Sequence, residues 1–235
     1  MTKHHFTGDD RPPPVWRRHA EMASMLPRMW HSFVPARVGG PADGPPALVI
    51  PGFLAGDRTC NALRRSLSEA GWRTYPWELG MNRGAEENSL RRLRQRLEAI
   101  HDGRPVLLVG WSLGGLFARE LAREVPELVR AVVTLGSPFS GDPHQNNVWR
   151  LYEWVAGHKV TAPPIAHQAD KPPVPTLAIW SRRDGIVAPR AARGLDEERD
   201  AAVELRCSHM DFGVSRPATR QVAQEIETFL ESAGA

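Results

Sequence analysis

The chain has 235 residues, which is enough for one sizeable domain and too few for two large ones. Its 41% hydrophobic and 24% charged residues are typical of a globular protein. The 30 Lys and Arg residues nearly balance the 27 Asp and Glu residues, so the composition argues against a surface dedicated to nucleic acid. Two cysteines, Cys60 and Cys207, are too few for a disulfide framework and lack the spacing of a metal site.

The first 45 residues are predicted to form an extension to the main domain. Apolar residues recur with helical spacing between Val15 and Phe33, and Pro27 predicts a kink or two short helices. This segment either packs on the domain or lies on a lipid surface, and packing is favoured because its cationic residues form no clean polar face. The first 30 residues contain no long apolar stretch, so we expect a cytoplasmic protein with no obligatory membrane partner.

From residue 46 to residue 235, predicted strands alternate with predicted helices. Strands that are separated by helices of about ten or more residues require right-handed crossovers. The pattern therefore predicts an α/β domain whose mostly parallel sheet has helices on both faces. The run PVLLVGW at residues 105–111 is apolar on both faces, as a strand covered on two sides requires. The other predicted strands are residues 47–53, 72–78, 129–138, 174–187 and 202–209, and the predicted helices are residues 58–71, 85–103, 112–126 and 217–233. Asp57 is placed to cap the first of these helices.

The third predicted strand runs directly into a helix through the sequence Gly110-Trp111-Ser112-Leu113-Gly114. A serine at such a turn adopts a strained backbone conformation, and side chains at the flanking glycines would collide with neighbouring elements. The turn raises the hydroxyl group at the carboxyl edge of the sheet, where open α/β sheets bind ligands. A purely structural turn is the alternative, but the strand–turn–helix context favours a nucleophile at Ser112.

A serine nucleophile needs a base, and the base needs an acid that orients it. His209 follows the last predicted strand and Asp184 follows the preceding one, so both leave the sheet at the edge that holds Ser112. The chain order serine, aspartate, histidine is the one expected on such a sheet. Asp211 competes as the acid, although its closeness in sequence to His209 makes the outer ring nitrogen hard to reach.

The negative charge that develops on a tetrahedral intermediate needs hydrogen-bond donors. The backbone amide of Leu113 comes directly after the nucleophile, and the second donor is expected in the loop IPGFLAGD after the first strand. Gly52 allows a tight bend there, so we expect the Phe53 amide to be that donor. An ordinary Pro-Gly turn is the alternative.

The connection between Phe139 and Pro173 is far longer than an ordinary turn, so we predict a lid insertion at about residues 139–173. Its segment NNVWRLYEWVAG has the pattern of a short amphipathic helix, and the loop WELGMNRG after the second strand reaches the same sheet edge. Aromatic residues at helical spacing more often serve packing, but here they could also line an acyl pocket. The candidate pocket and lid residues are Met81, Asn82, Trp149, Tyr152 and Trp154.

The segments VIPGFLAGD, GWSLGG, LGSPF, SRRDGIV and SHMDFG, in this order, resemble α/β-hydrolases of the esterase and lipase group from about residue 46 to the C-terminus. The resemblance implies hydrolysis of small-molecule or lipid esters through an acyl-enzyme, without cofactor or metal. Many lipases carry His-Gly where this chain has Pro51-Gly52, so Phe53 is an oxyanion donor by position alone. The opening hairpin usual in that fold is not visible, and the sheet is therefore expected to be trimmed at its N-terminal edge.

Two other functions fit the same residues. A thioesterase or acyltransferase would use the same acyl-enzyme and differ only in the acceptor, which the sequence does not reveal. A non-catalytic binding protein of this fold would be expected to lack a member of the triad, and Ser112, Asp184 and His209 are all present. Because the fold alone does not decide the function, the expectation of a carboxylic ester hydrolase depends on these three residues.

Overall fold

The computed structural model describes residues 12–14, 16–17, 19, 39–141, 152–153, 156–159, 161, 164–165, 168 and 170–234. The strands are β1 (Pro46–Ile50), β2 (Arg73–Pro76), β3 (Val106–Trp111), β4 (Val129–Leu135), β5 (Thr176–Trp180) and β6 (Ala201–Glu204). The helices are α1 (Asn61–Glu69), α2 (Ser89–Ile100), α3 (Leu113–Glu124), α4 (Pro189–Arg193), α5 (Asp211–Val214) and α6 (Arg216–Ala233). Short 3-10 turns occupy Asp57–Cys60, Pro126–Leu128 and Asp196–Glu198.

Within the described residues, the six strands form one sheet in the order β2-β1-β3-β4-β5-β6, and every neighbouring pair is parallel. Successive residues of β3 pack on opposite faces. Leu107 and Val109 belong to a core that includes α1 and α6, whereas Leu108 belongs to a core that includes α2 and α3. The predicted parallel sheet with helices on both faces is therefore confirmed, and the two-sided burial explains the unbroken apolar run.

The strands end earlier than the sequence pattern predicts. Apolar residues continue past the last inter-strand hydrogen bonds, and composition alone does not mark where pairing stops. The surplus residues form loops at the carboxyl edge of the sheet, and the candidate residues Phe53, Asp184 and His209 lie in those loops.

Asp57 has a different role from the helix cap that its position suggests. Helix α1 begins four residues later, and its N-cap residue, Cys60, makes no side-chain capping bond. The Asp57 carboxylate instead accepts hydrogen bonds from the amides of Trp77 and Glu78, at 2.9 and 3.2 Å. Burial raises the pKa of Asp57 above its usual range. This side chain therefore ties the loop after β2 to the turn before α1.

Most of the predicted N-terminal helical segment lies outside the described residues. Trp16 and Arg17 are helical, and Arg17 donates a hydrogen bond to the carbonyl of Arg182 at 3.1 Å. Gly39 pairs with Thr74 through an isolated antiparallel bridge at the β2 edge of the sheet. None of the described helices is both long and apolar enough to cross a membrane. The domain boundary at residue 45 and the lid insertion stay predictions.

A buried arginine fastens α3 to the end of the long connection. The Arg119 side chain is fully buried and donates to the carbonyls of Glu198 and Asp170, at 3.1 and 2.9 Å. Its guanidinium lies 4.3 Å from the centre of the Phe139 ring, which is a cation–π distance. Burial lowers the pKa of Arg119 to about 10, so the group is still a cation at neutral pH. The helix that follows Ser112 is thus held from its far side.

We expect the substitution Arg119→Ala to lower the free energy of unfolding by about 3 kcal/mol, because it leaves the buried Glu198 carbonyl without this donor and creates a cavity. Urea denaturation would measure this. Arg94→Ala, which removes an exposed arginine of α2, is the control and should leave the urea midpoint unchanged. Equal midpoints for the two variants would contradict the anchoring role of Arg119.

Candidate active site

A strained turn connects β3 to α3 at Ser112. This residue has φ 55° and ψ −122°, and residues other than glycine rarely adopt a positive φ of this kind. Its amide donates to the carbonyl of Leu135 at 2.8 Å, which holds the turn against the end of β4. The serine therefore stands at the carboxyl edge of the two central strands, at the amino end of a helix of twelve residues.

Two glycines allow this turn because backbone atoms pack directly against other backbone atoms there. A Cβ atom on Gly110 would lie 2.3 Å from the carbonyl oxygen of Gly114, and one on Gly114 would lie 2.2 Å from that of Ile50. Real Cβ atoms do not approach oxygen atoms so closely, and no side chain could move aside to relieve the contact. The two glycines are required by packing density rather than by flexibility.

The structure brings together His209 and Asp184, which are 25 residues apart in sequence. The Nδ1 atom of His209 lies 2.7 Å from Oδ2 of Asp184, and the two residues are 4% and 1% exposed. The other carboxylate oxygen accepts the amides of Ile186 and Val187, each at 2.8 Å. A carboxylate held in this way favours the tautomer with its proton on Nδ1, which leaves Nε2 as the basic nitrogen.

His209 lies over the strand end that carries Ser112. The indole nitrogen of Trp111, the residue before the serine, donates to the carbonyl of His209 at 3.1 Å, and the two ring centres are 5.8 Å apart. A Cβ atom on Gly136 would lie 3.1 Å from Nδ1 of His209. Gly136 directly follows Leu135, whose carbonyl accepts the Ser112 amide. Serine, histidine and aspartate thus project from adjoining parts of one sheet edge.

Asp211 binds elsewhere. Its Oδ2 atom accepts hydrogen bonds from the amide and the hydroxyl group of Ser208, at 2.9 and 2.8 Å. This arrangement closes the turn that leads into α5, and the carboxylate that faces Nδ1 of His209 is that of Asp184. Between the two acids that the sequence left open, the geometry favours Asp184.

The loop after β1 packs directly on the serine. A Cβ atom on Gly52 would lie 3.0 Å from Cβ of Ser112, so the turn that carries the Phe53 amide packs against the serine side chain. Within the described part of the chain, the amides of Phe53 and Leu113 donate no hydrogen bond. The Leu113 amide also lies at the positive end of the α3 dipole. The Leu113 amide is next to Ser112 in sequence, and the Phe53 amide belongs to the turn that packs on it, so the assignment of both as oxyanion donors stays a prediction.

Asn82 braces that loop, a role that the sequence did not reveal. It is 1% exposed, its side-chain amide donates to the carbonyl of Pro51 at 2.8 Å, and its Oδ1 accepts from Gly84 at 3.2 Å. Its backbone carbonyl accepts from Leu54 at 2.7 Å, and its amide donates to Ala55 at 2.8 Å. Asn82 was predicted as a pocket residue because of its place after the second strand, and only its hydrogen bonds reveal the bracing.

The other candidate pocket residues differ in their surroundings. Tyr152 is buried, its ring centre is 5.2 Å from that of Phe53, and its hydroxyl group accepts from the amide of Ala85 at 3.3 Å. Burial raises the pKa of Tyr152, so its phenol is protonated. The long connection therefore touches the loop that carries the Phe53 amide. Met81 is exposed, and Trp149 and Trp154 lie outside the described residues.

Neither cysteine has the environment of a nucleophile. Cys60 and Cys207 form no disulfide bond in the described part of the chain, and both are buried in the core on the α1 and α6 side of the sheet. Burial raises the pKa of Cys60 to about 12, which keeps the thiol protonated at neutral pH. Serine is therefore the better candidate for nucleophilic chemistry at this edge.

Comparisons with known proteins bear on the fold. Residues 67–158 match a family model described as the alpha/beta hydrolase fold. An alpha/beta hydrolase enzyme from the sediment metagenome of the Mar Chica lagoon, Morocco, is 19% identical with a TM-score of 0.58, over 85% of this chain and 95% of that chain. No curated protein has a significantly similar sequence.

Two further structural neighbours carry names that specify a reaction. A monoacylglycerol lipase from Paleococcus ferrophilus is 16% identical with a TM-score of 0.55, over 79% of this chain and 96% of that chain. A thioesterase domain from the curacin biosynthetic pathway is 13% identical with a TM-score of 0.57, over 80% of this chain and 93% of that chain. At these identities the likeness extends to the fold alone.

We expect Asn82→Ala to lower the free energy of unfolding by about 2 kcal/mol, because a buried carbonyl and a buried amide lose their partners. Amide hydrogen exchange at Leu54 and Ala55 should become faster, which mass spectrometry can follow. Asn82→Asp keeps the shape and the acceptor for Gly84 but loses the donor to Pro51, and it should be similarly destabilised at neutral pH. Unchanged stability and exchange in both variants would contradict the bracing role.

Proposed function

We propose that this chain, an α/β-hydrolase in its fold, is a serine hydrolase that cleaves carboxylic esters through an acyl-enzyme on Ser112. The observation that carries the proposal is the buried hydrogen bond between Asp184 and His209 at the sheet edge where Ser112 directly precedes α3. A nearly solvent-free carboxylate with two backbone donors on one oxygen and an imidazole on the other is suited to orienting a base.

In the first half of the reaction, Nε2 of His209 takes the proton of the Ser112 hydroxyl group while Oγ attacks the carbonyl carbon of the ester. Asp184 stabilises the imidazolium that forms. When the tetrahedral intermediate collapses, the bond to the alcohol oxygen breaks, and the imidazolium gives its proton to the leaving alcohol. In the second half, His209 deprotonates a water molecule, which attacks the carbonyl carbon of the acyl-enzyme. The bond between that carbon and Oγ of Ser112 then breaks, the imidazolium returns its proton to Oγ, and the acid leaves. Apart from the ester and water, each step uses groups of this chain.

We assign the backbone amides of Phe53 and Leu113 as the hydrogen-bond donors to the negatively charged oxygen of both tetrahedral intermediates. Preorganised backbone donors stabilise a developing charge without the reorganisation that water requires, and removing one such donor typically slows a reaction by about a hundredfold or more. Asn82 would act here as a positioning residue, because it holds the main chain on both sides of Phe53. The reaction depends on this loop as well as on the three side chains.

The substrate class follows from what the site contains. It offers a nucleophile, a base and neutral donors for an oxyanion, which together suit a small-molecule or lipid ester. A thioester or a second acyl acceptor would use the same acyl-enzyme, and comparison of p-nitrophenyl esters with acyl-thioesters tests that alternative. The proposal of an ester hydrolase requires the p-nitrophenyl esters to be turned over with water as the acceptor.

We expect Ser112→Ala to lower kcat/KM for p-nitrophenyl esters by about a thousandfold or more, because the attacking atom is absent. A spectrophotometric assay over acyl chains from acetate to palmitate would measure this. Ser232→Ala, in α6 near the opposite end of the sheet, is the control and should keep wild-type activity. A fluorophosphonate should label wild type at Ser112 and leave the alanine variant unlabelled. Wild type with neither turnover nor labelling would refute the proposal.

The acid can be identified with a matched pair of substitutions. Asp184→Asn should lower kcat by about a thousandfold to ten-thousandfold, because an amide no longer favours the productive tautomer of His209. Asp211→Asn should keep kcat within about tenfold, since this carboxylate binds Ser208. The same p-nitrophenyl assay decides between them, and the reverse ranking would assign the acid to Asp211.

A further inference from the structure

Leu54 has a backbone conformation that its residue type disfavours. It is the third residue of a turn closed by a hydrogen bond from the Ala55 amide to the Gly52 carbonyl, at 3.1 Å, and its φ is 57°. A positive φ at this place is the feature of a type II turn, which favours glycine or asparagine there. For a bulky residue such a φ is a genuine outlier that costs free energy. Glycine would form the same turn without that cost.

Core packing does not explain the leucine. Leu54 is 40% exposed. Among the described residues, the other exposed large apolar side chains are those of Trp16 and Met81. Met81 is 56% exposed and precedes Asn82, whose carbonyl accepts the Leu54 amide at 2.7 Å. Two exposed apolar residues therefore lie on segments that are hydrogen bonded to each other.

This pair adjoins the proposed reacting centre. Leu54 follows Phe53, whose amide is the assigned oxyanion donor, and Gly52 of the same turn packs on Ser112. Strained residues that the fold does not need are most often retained where a ligand binds. An exposed apolar side chain at such a position gains a favourable environment only when an apolar group covers it.

We propose that Leu54, together with Met81, determines specificity by contacting an aliphatic chain of the ester substrate beside the scissile carbonyl. This inference rests on the proposed ester hydrolysis and adds the substrate class to it. The chain can belong to the acyl part or to the alcohol part of the ester, since both flank the carbonyl. Each methylene group that the contact removes from water should raise kcat/KM by up to about fourfold.

Leu54→Asn tests the contact while keeping the turn, because asparagine accepts a left-handed backbone and has a polar side chain of similar size. If the contacted chain belongs to the acyl part, the ratio of kcat/KM for p-nitrophenyl octanoate to that for p-nitrophenyl acetate should fall about tenfold. If it belongs to the alcohol part, the ratio of kcat/KM for hexyl acetate to that for methyl acetate should fall about tenfold. The series that responds identifies the part of the ester. The ratios are taken from rates below the critical micelle concentration and again from rates above it. The two shortest esters should react within about twofold of wild type.

Glu78→Gly is the matched control. Glu78 also has a left-handed backbone, with φ 59°, and its exposed side chain is an ion-pair partner of Arg96, at 3.0 Å. Relief of strain at this position should leave both chain-length ratios unchanged. Leu54→Asn should also melt no lower than wild type, because it relieves the same strain. Unchanged ratios in both series, or a uniform loss of rate with a lower Tm, would overturn the inference.

Failure of the inference and failure of the proposed function can be told apart. Hydrolysis by wild type with chain-length ratios that Leu54→Asn does not alter overturns the inference alone. If wild type hydrolyses no ester, the proposed function fails, and binding of 2-octanone in an NMR titration then decides whether Leu54 contacts aliphatic chains. Weaker binding by Leu54→Asn supports the contact, and equal binding overturns it. A loss seen only above the critical micelle concentration overturns it in favour of a lipid surface.

Discussion

The contact between main-chain atoms at the end of β3 is the constraint on which the proposed site depends. Gly110 and Gly114 have no room for a methyl group, so α3 can begin directly against β1 and β3. This close packing gives Ser112 its left-handed backbone and leaves the Leu113 amide at the amino end of the helix. It also brings the loop after β1 against the serine. A looser turn would separate the hydroxyl group from the donors on either side.

Backbone strain gathers at this one edge of the sheet. Among the described residues, the non-glycine residues with positive φ are Leu54, Glu78 and Ser112, and they follow β1, β2 and β3 respectively. Hydrogen bonds from neighbouring segments hold each of them, as the bonds of Asn82 and Asp57 do for the first two. The parallel strands beneath are buried on both faces, and their packing stabilises conformations that isolated loops would leave.

The fold class and the main candidates could be predicted because they depend on local patterns. An apolar run between helices identifies a buried parallel strand, and glycines around Ser112 indicate a tight strand-to-helix turn. The predictions were weakest at boundaries, since apolar residues such as Trp77 after β2 and Leu205 after β6 lie beyond the last paired residue of their strands. The cap predicted for Asp57 was wrong because the chain inserts a 3-10 turn before α1, and the carboxylate reaches across to the loop after β2.

By itself, the sequence determined the order of strands and helices, the position of the serine turn, and a few candidates for the base and the acid that would act with Ser112. Only the tertiary structure decided which carboxylate faces His209, because a hydrogen bond to Asp184 joins loops 25 residues apart, and nothing in the local pattern encodes that distance. The bracing by Asn82 and the strain at Leu54 were decided in the same way. Both arise where segments distant in sequence pack together, and single-residue preferences carry no information about such contacts.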